Sequence, residues 1–130
     1  MLQNAPEVGE RLTISGTAEL VRARRAVTRS AEEVLGSPRI PDVELCISEL
    51  VTNALEHGTD PEVELRWEAE GDSFVITVSN SSGRLPQATV GVLPNERATG
   101  RGLRIVKMVA DGVATRHENG AVVVTCRFDG

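Results

Sequence analysis

Glu49-Leu50-Val51-Thr52-Asn53-Ala54-Leu55-Glu56-His57-Gly58 sets polar side chains into an apolar helical run at one-turn spacing. At about 100° per residue, Val43, Ile47, Leu50, Val51, Ala54 and Leu55 fall on one arc of a helix. Glu49, Asn53 and Glu56 gather on the opposite arc, with His57 at its edge. A carboxylate one turn before a carboxamide supplies the parts of a general base and of a neutral oxygen ligand for a hard cation such as Mg²⁺. A solvated helix face produces the same periodicity, so the pattern leaves both readings open.

Working outward, Pro41 and Asp42 open this helix in its favourable first turn, after a Ser37-Pro38-Arg39-Ile40-Pro41 connector. Upstream, Thr17 is placed to cap another helix, with Leu20, Val21, Val27, Ala31, Val34 and Leu35 as its apolar positions and Gly36 as its end. Arg22, Arg24, Arg25 and Arg29 on that helix read as a solvated face or as a partner surface. Arg11–Ser15 reads as a short edge strand, and Met1–Glu10 as a flexible tail.

Downstream, Val63, Leu65, Trp67 and Ala69 alternate with Glu62, Glu64, Arg66 and Glu68, the period of a half-buried strand with a charged outer face. Gly71-Asp72 turns the chain into a partner strand, where Phe74, Ile76 and Val78 alternate with Val75, Thr77 and Ser79. Two further strands, over 112–117 and 121–128, flank the turn signal Glu118-Asn119-Gly120. The expected fold class is α/β (α+β): a two-layer sandwich with a mostly antiparallel sheet and helices on one face, in a single domain over 11–130.

Thr99-Gly100-Arg101-Gly102-Leu103 precedes Ile105, Val106, Val109 and Ala110, apolar residues that continue from Leu103 at helical spacing. A glycine turn feeding a helix lets backbone N–H groups approach an anion such as phosphate, although a flexible loop before a helix has the same sequence. Residues 81–98, with no sustained period, form a long loop and a candidate nucleotide lid. Arg84, Arg97, Arg101 and Arg104 flank or follow it as candidate phosphate contacts.

Glu-Leu-Val-Thr-Asn-Ala-x-x-His-Gly at 49–58 and Thr-Gly-Arg-Gly-Leu at 99–103, in that order, resemble the N box and second glycine box of the GHKL ATP-binding superfamily. With Met108-Val109-Ala110-Asp111 beyond them, they look most like the stand-alone bacterial anti-sigma-factor serine/threonine kinases. The resemblance covers the chain from about residue 12 onward. It implies a Bergerat-type ATP-binding fold and ATP and Mg²⁺ as cofactors. It further implies catalytic Glu49, metal-ligating Asn53, and nucleotide contacts at Asn53, Asn80, Thr99, Gly100, Arg101, Gly102 and Leu103. Two positions depart from the family. Asn80 stands where an aspartate commonly accepts the adenine amino group, and Val122 where many relatives have a threonine; Ser81-Ser82-Gly83 also lacks the full glycine pattern.

Composition limits the alternatives. The formal charge is −5, from 14 basic and 19 acidic residues, without the basic and aromatic interleaving of a nucleic-acid surface. No signal-peptide pattern or membrane-length apolar run is legible, so a cytoplasmic location is expected. Cys46 and Cys126 belong to no paired metal motif and read as reduced core thiols. The leading function is an ATP-dependent protein serine/threonine kinase. By resemblance it phosphorylates an anti-sigma-antagonist protein and sequesters a sigma factor, with a homodimer open to it. The alternative is a non-catalytic protein-binding regulator with weak or lost nucleotide binding. A sensor-kinase module would need a phosphoacceptor-histidine helix pair, and His57 reads as a capping or packing residue instead.

Overall fold

In the computed structural model, the described residues are 10–57, 62–80, 104–118 and 121–130. They form strand β1 (Glu10–Ile14), helix α1 (Thr17–Leu35), a 3-10 turn (Ser37–Arg39), helix α2 (Ile40–His57) and strands β2 (Val63–Glu70) and β3 (Ser73–Asn80). A short helix over 104–109, here α3, then leads to strands β4 (Gly112–Glu118) and β5 (Ala121–Asp129). The sheet order is β1-β2-β3-β5-β4, and every neighbouring pair is antiparallel. This is the expected α+β sandwich, with a sheet layer and a helix layer.

Strand parity sets the core. Val63, Leu65 and Trp67 on β2, Phe74, Ile76 and Val78 on β3, and Cys126 and Phe128 on β5 are buried against Ala23, Val27 and Ala31 of α1 and Val43, Cys46, Ile47, Leu50 and Val51 of α2. Trp67 satisfies its indole N–H by donating to Ser30 Oγ at 3.3 Å. Ala69, expected inside, is exposed, beside the hairpin turn and two residues past Trp67, which pairs with Glu10. Gly71 makes that turn with φ 65°, a left-handed conformation that suits glycine.

The entry to α1 differs from expectation. Gly16 is the N-cap and makes no side-chain capping bond, while Thr17 is already helical. Capping is displaced one position upstream, where Ser15 donates from both its backbone N–H and its hydroxyl to Glu19 Oε1, each at 2.9 Å. These bonds favour the ionised carboxyl and lower the pKa of Glu19. Val21 is also outside, 41% exposed, and Ala23 occupies the inward position. Gly36 ends the helix with φ 85° as expected.

The Ser37–Pro41 connector is more than a link, because it carries Arg39. This guanidinium donates to Val109 O at 2.9 Å, to Asp111 Oδ2 at 3.2 Å and to Asp129 O at 3.4 Å. It also pairs with Asp42 at 3.5 Å and lies 5.2 Å from the centroid of the Phe128 ring. Asp111 in turn accepts the Asp129 backbone N–H at 2.8 Å, and that bond, with Arg39, lowers its pKa. The start of α2, the end of α3 and the ends of β4 and β5 thus meet at one side chain. No helix among the described residues is long and apolar enough to cross a membrane.

Candidate functional site

Helix α2 is oriented by contacts on two sides. On one, Arg24 of α1 donates to Ser48 Oγ at 3.0 Å, so Ser48 faces α1. On the other, the Cys46 thiol meets that of Cys126 on β5, and this hydrogen bond together with burial raises the Cys126 pKa. At about 100° per residue, Glu49 lies about 100°, Asn53 about 140° and Cys46 about 160° around the helix from Ser48. Glu49 and Asn53 therefore face away from α1, toward the β5 side, where Arg39 ties α3 to the start of α2.

Asn53 does not stand on a solvated arc opposite the core, as periodicity alone suggests. It lies next to Cys46 on the helical wheel, at the margin of the buried face. The residue is half-buried, and its Nδ2 is enclosed with no hydrogen-bond partner among the described residues. An enclosed donor left unpaired costs about 1–3 kcal/mol, a penalty that a ligand or water can remove. Carboxamide N and O are distinguished only by their surroundings, so rotating the group by half a turn presents an oxygen at the same place. Either way, Asn53 offers a polar atom that the fold itself does not use.

Asn80 is brought from the sheet to the residue after Asn53. It continues the inward parity of Phe74, Ile76 and Val78, is 3% exposed, and pairs with Val63 across the β2–β3 ladder. Its Nδ2 donates to Ala54 O at 3.4 Å, beside Asn53 on α2. The β3–β5 register includes Val78–Val124 and ends with Ser79–Val123. One further step sets Val122 across from Asn80, so the two family departures noted in the sequence fall at one end of the sheet on its helix-covered face. That Ala54 carbonyl also answers a question of chemistry: an asparagine here needs an acceptor for its NH₂, and the helix provides one.

Glu49 is half-buried one turn before Asn53 on the same side of α2. The structure thus gathers Glu49, Asn53 and Asn80 at the C-terminal half of α2. Thr99, Gly100, Arg101, Gly102 and Leu103, the candidate lid 81–98 and Arg84 and Arg97 lie outside the described residues, as do residues 1–9 of the expected tail 1–10 and the His57 side chain; Glu10, the last residue of that tail, opens β1 instead. Arg104 is exposed at the first described position of α3. Of the α1 arginines, Arg22, Arg25 and Arg29 are exposed, whereas Arg24 is half-buried against Ser48.

No group of three or more His, Cys, Asp or Glu side chains among the described residues could hold a metal ion. A Mg²⁺ that travels with nucleotide phosphates needs only one or two protein oxygens. A depression bordered by Arg11, Arg66, Glu68 and Thr77 lies on the outer face of the sheet and contains none of the candidate site residues. Sequence reasoning missed Arg39 and the Ala54 carbonyl. Only the Arg39–Asp42 spacing of three gave a local signal; a backbone acceptor leaves none.

Residues 14–128 match the histidine kinase-like ATPase domain family, almost the full length of the chain. The chain belongs to that family, and with it to the ATP-binding domains of GHKL type. None of the curated proteins matches the chain.

Proposed function

We propose that this protein is an Mg-ATP-dependent serine/threonine kinase of the anti-sigma-factor type, which phosphorylates a small anti-sigma-antagonist protein and separately sequesters a sigma factor. The observation that carries the nucleotide site is the enclosed Nδ2 of Asn53, without a partner among the described residues, one residue before the Ala54 carbonyl that Asn80 bonds. In this reading Asn80 turns its NH₂ to the helix and offers its carbonyl oxygen to an adenine amino group. Asn53 would contribute its oxygen to the metal, and the backbone around Gly100 and Gly102 would contact phosphates. Bound Mg²⁺ would supply neutralisation of phosphate charge during transfer. Glu49 would orient the acceptor hydroxyl and take its proton as the oxygen bonds to the γ-phosphorus and the bond from that phosphorus to the bridging oxygen breaks, releasing ADP. Acceptor class and partners rest on the family resemblance.

A second reading, a regulator that keeps the sandwich and binds protein without nucleotide, is favoured by the apposition of Asn80 and Val122. Calorimetric titration with ATP, with and without Mg²⁺, separates the two. Saturable heat that strengthens with Mg²⁺ supports the kinase; no heat under either condition overturns it in favour of the regulator.

A further inference from the structure

We propose that Arg39 is a positioning residue for the nucleotide site, fixing the spacing between α2, which carries Glu49 and Asn53, and α3. The inference rests on the nucleotide reading above and adds a residue that neither motif contains. Arg39 reaches both elements at once: its Nη2 bonds the Val109 carbonyl at the end of α3, and its Nε pairs with Asp42 in the first turn of α2. The same guanidinium bonds Asp111 and Asp129 O and lies over Phe128, so five partners from four parts of the chain restrain it.

The consequence follows from lever geometry. α2 rises about 1.5 Å per residue, so Asn53 lies about 20 Å along the helix from Arg39, and a tilt of about 5° at that end displaces Asn53 by about 2 Å. Ligand and metal contacts tolerate only small fractions of that distance. The carbonyl that Arg39 holds also lies at the half-buried C-terminal end of α3, where a cation is favoured by the helix dipole. A lysine keeps the charge but cannot serve the α3 carbonyl, Asp111 and the aromatic face together.

The test compares wild type with Arg39→Met, Arg39→Lys and Asp111→Asn. Each is titrated with Mg-ATP by calorimetry well below its unfolding temperature, and free-state amide exchange is followed over 40–57, 104–110 and the β2–β3 hairpin. Arg39→Met, which retains the aliphatic stem, is expected to weaken Mg-ATP binding about tenfold, with the lysine and Asp111 variants between it and wild type. Exchange should rise over 104–110 and the first turn of α2 while the hairpin keeps its protection. A residue that only stabilised the fold would raise exchange throughout and leave affinity at the wild-type value. If Arg39→Met does not fold, the lysine and Asp111 variants decide on the same criteria. Wild-type affinity in folded variants, or unchanged exchange over 104–110, overturns the positioning role. Absence of ATP binding by wild type instead overturns the nucleotide reading, and exchange then still reports whether Arg39 holds α3 to α2.

Discussion

The two ends of α2 are built to opposite rules. At its start, the Arg39 guanidinium engages backbone carbonyls, carboxylates and an aromatic ring, and Asp111 is itself held by the Asp129 N–H. Toward its other end, Asn53 encloses an N–H with no partner, and Asn80 is buried on a long 3.4 Å bond to Ala54 O. A satisfied polar cluster stabilises a fold; an enclosed polar atom left without a partner among the described residues, as at Asn53, serves a ligand at a cost in free-state stability. The difference teaches where to look for function on a helix whose sequence is polar at both ends.

The sharpest way to break the contrast is Glu49→Gln. It preserves shape and removes the base, so phosphoryl transfer should fall about 100- to 10,000-fold while Mg-ATP affinity stays near wild type. Single-turnover transfer and calorimetry measure the two quantities, and an active variant removes Glu49 from the chemistry. Next in size, at the satisfied end, Phe128→Ala deletes a fully buried ring beneath Arg39. It should cost about 3–5 kcal/mol in urea unfolding.

Asn53→Ala sharpens the contrast from the other side. Removing an unsatisfied group and substituting a better helix former should leave stability unchanged or raise it by about 0.5–1 kcal/mol. Mg-ATP affinity should drop at least about tenfold, and more than metal-free ATP affinity, if the carboxamide ligates the metal. A variant that loses both affinities equally removes the metal role. Asn80→Asp sets a carboxylate against the Ala54 carbonyl, costing about 1–3 kcal/mol in the free protein. The same change restores the family's adenine acceptor, so adenine nucleotides should bind more tightly and recover part of that loss. Unaltered affinity places residue 80 outside the pocket or shows that the Asn80 carbonyl already suffices.

The smallest effect is in acid. Asp111 and Asp129 have lowered pKa values, Asp111 from the Asp129 N–H and Arg39, Asp129 chiefly from Arg127 and Ser73. A carboxyl whose folded pKa is depressed contributes stability above its unfolded pKa and loses it as pH falls through the folded value. Stability at the Arg39 end should therefore decline below about pH 4, the ordinary carboxylate range. Asp111→Asn should flatten that decline in a pH series of urea midpoints. Both groups are largely exposed, so the change will be modest and salt-sensitive.

Much of the fold was legible because its signals are local. The alternation Phe74, Ile76, Val78 fixed the buried face of β3, and carrying that parity two residues on already pointed Asn80 inward. Gly36, Pro41 and Gly71 marked turns and helix ends through backbone chemistry alone. Asn53 was misplaced on the wheel because a binary reading of polar against apolar cannot distinguish a solvated arc from the margin of a core. The capping at Ser15 and Glu19 was missed because Thr17 offered an equally good local signal. Arg39 was invisible in its role, since Asp111 stands 72 residues away and no spacing rule connects them.

The central claim is that the margin between α2 and the end of β3 is the nucleotide site. Amide hydrogen exchange with and without Mg-ATP tests it most directly. The account predicts slowed exchange over 49–58 and 81–102, with little change in the hairpin from residue 62 to 78. Protection confined to the outer face around Arg11, Arg66 and Thr77, or no protection at saturating Mg-ATP, would contradict it.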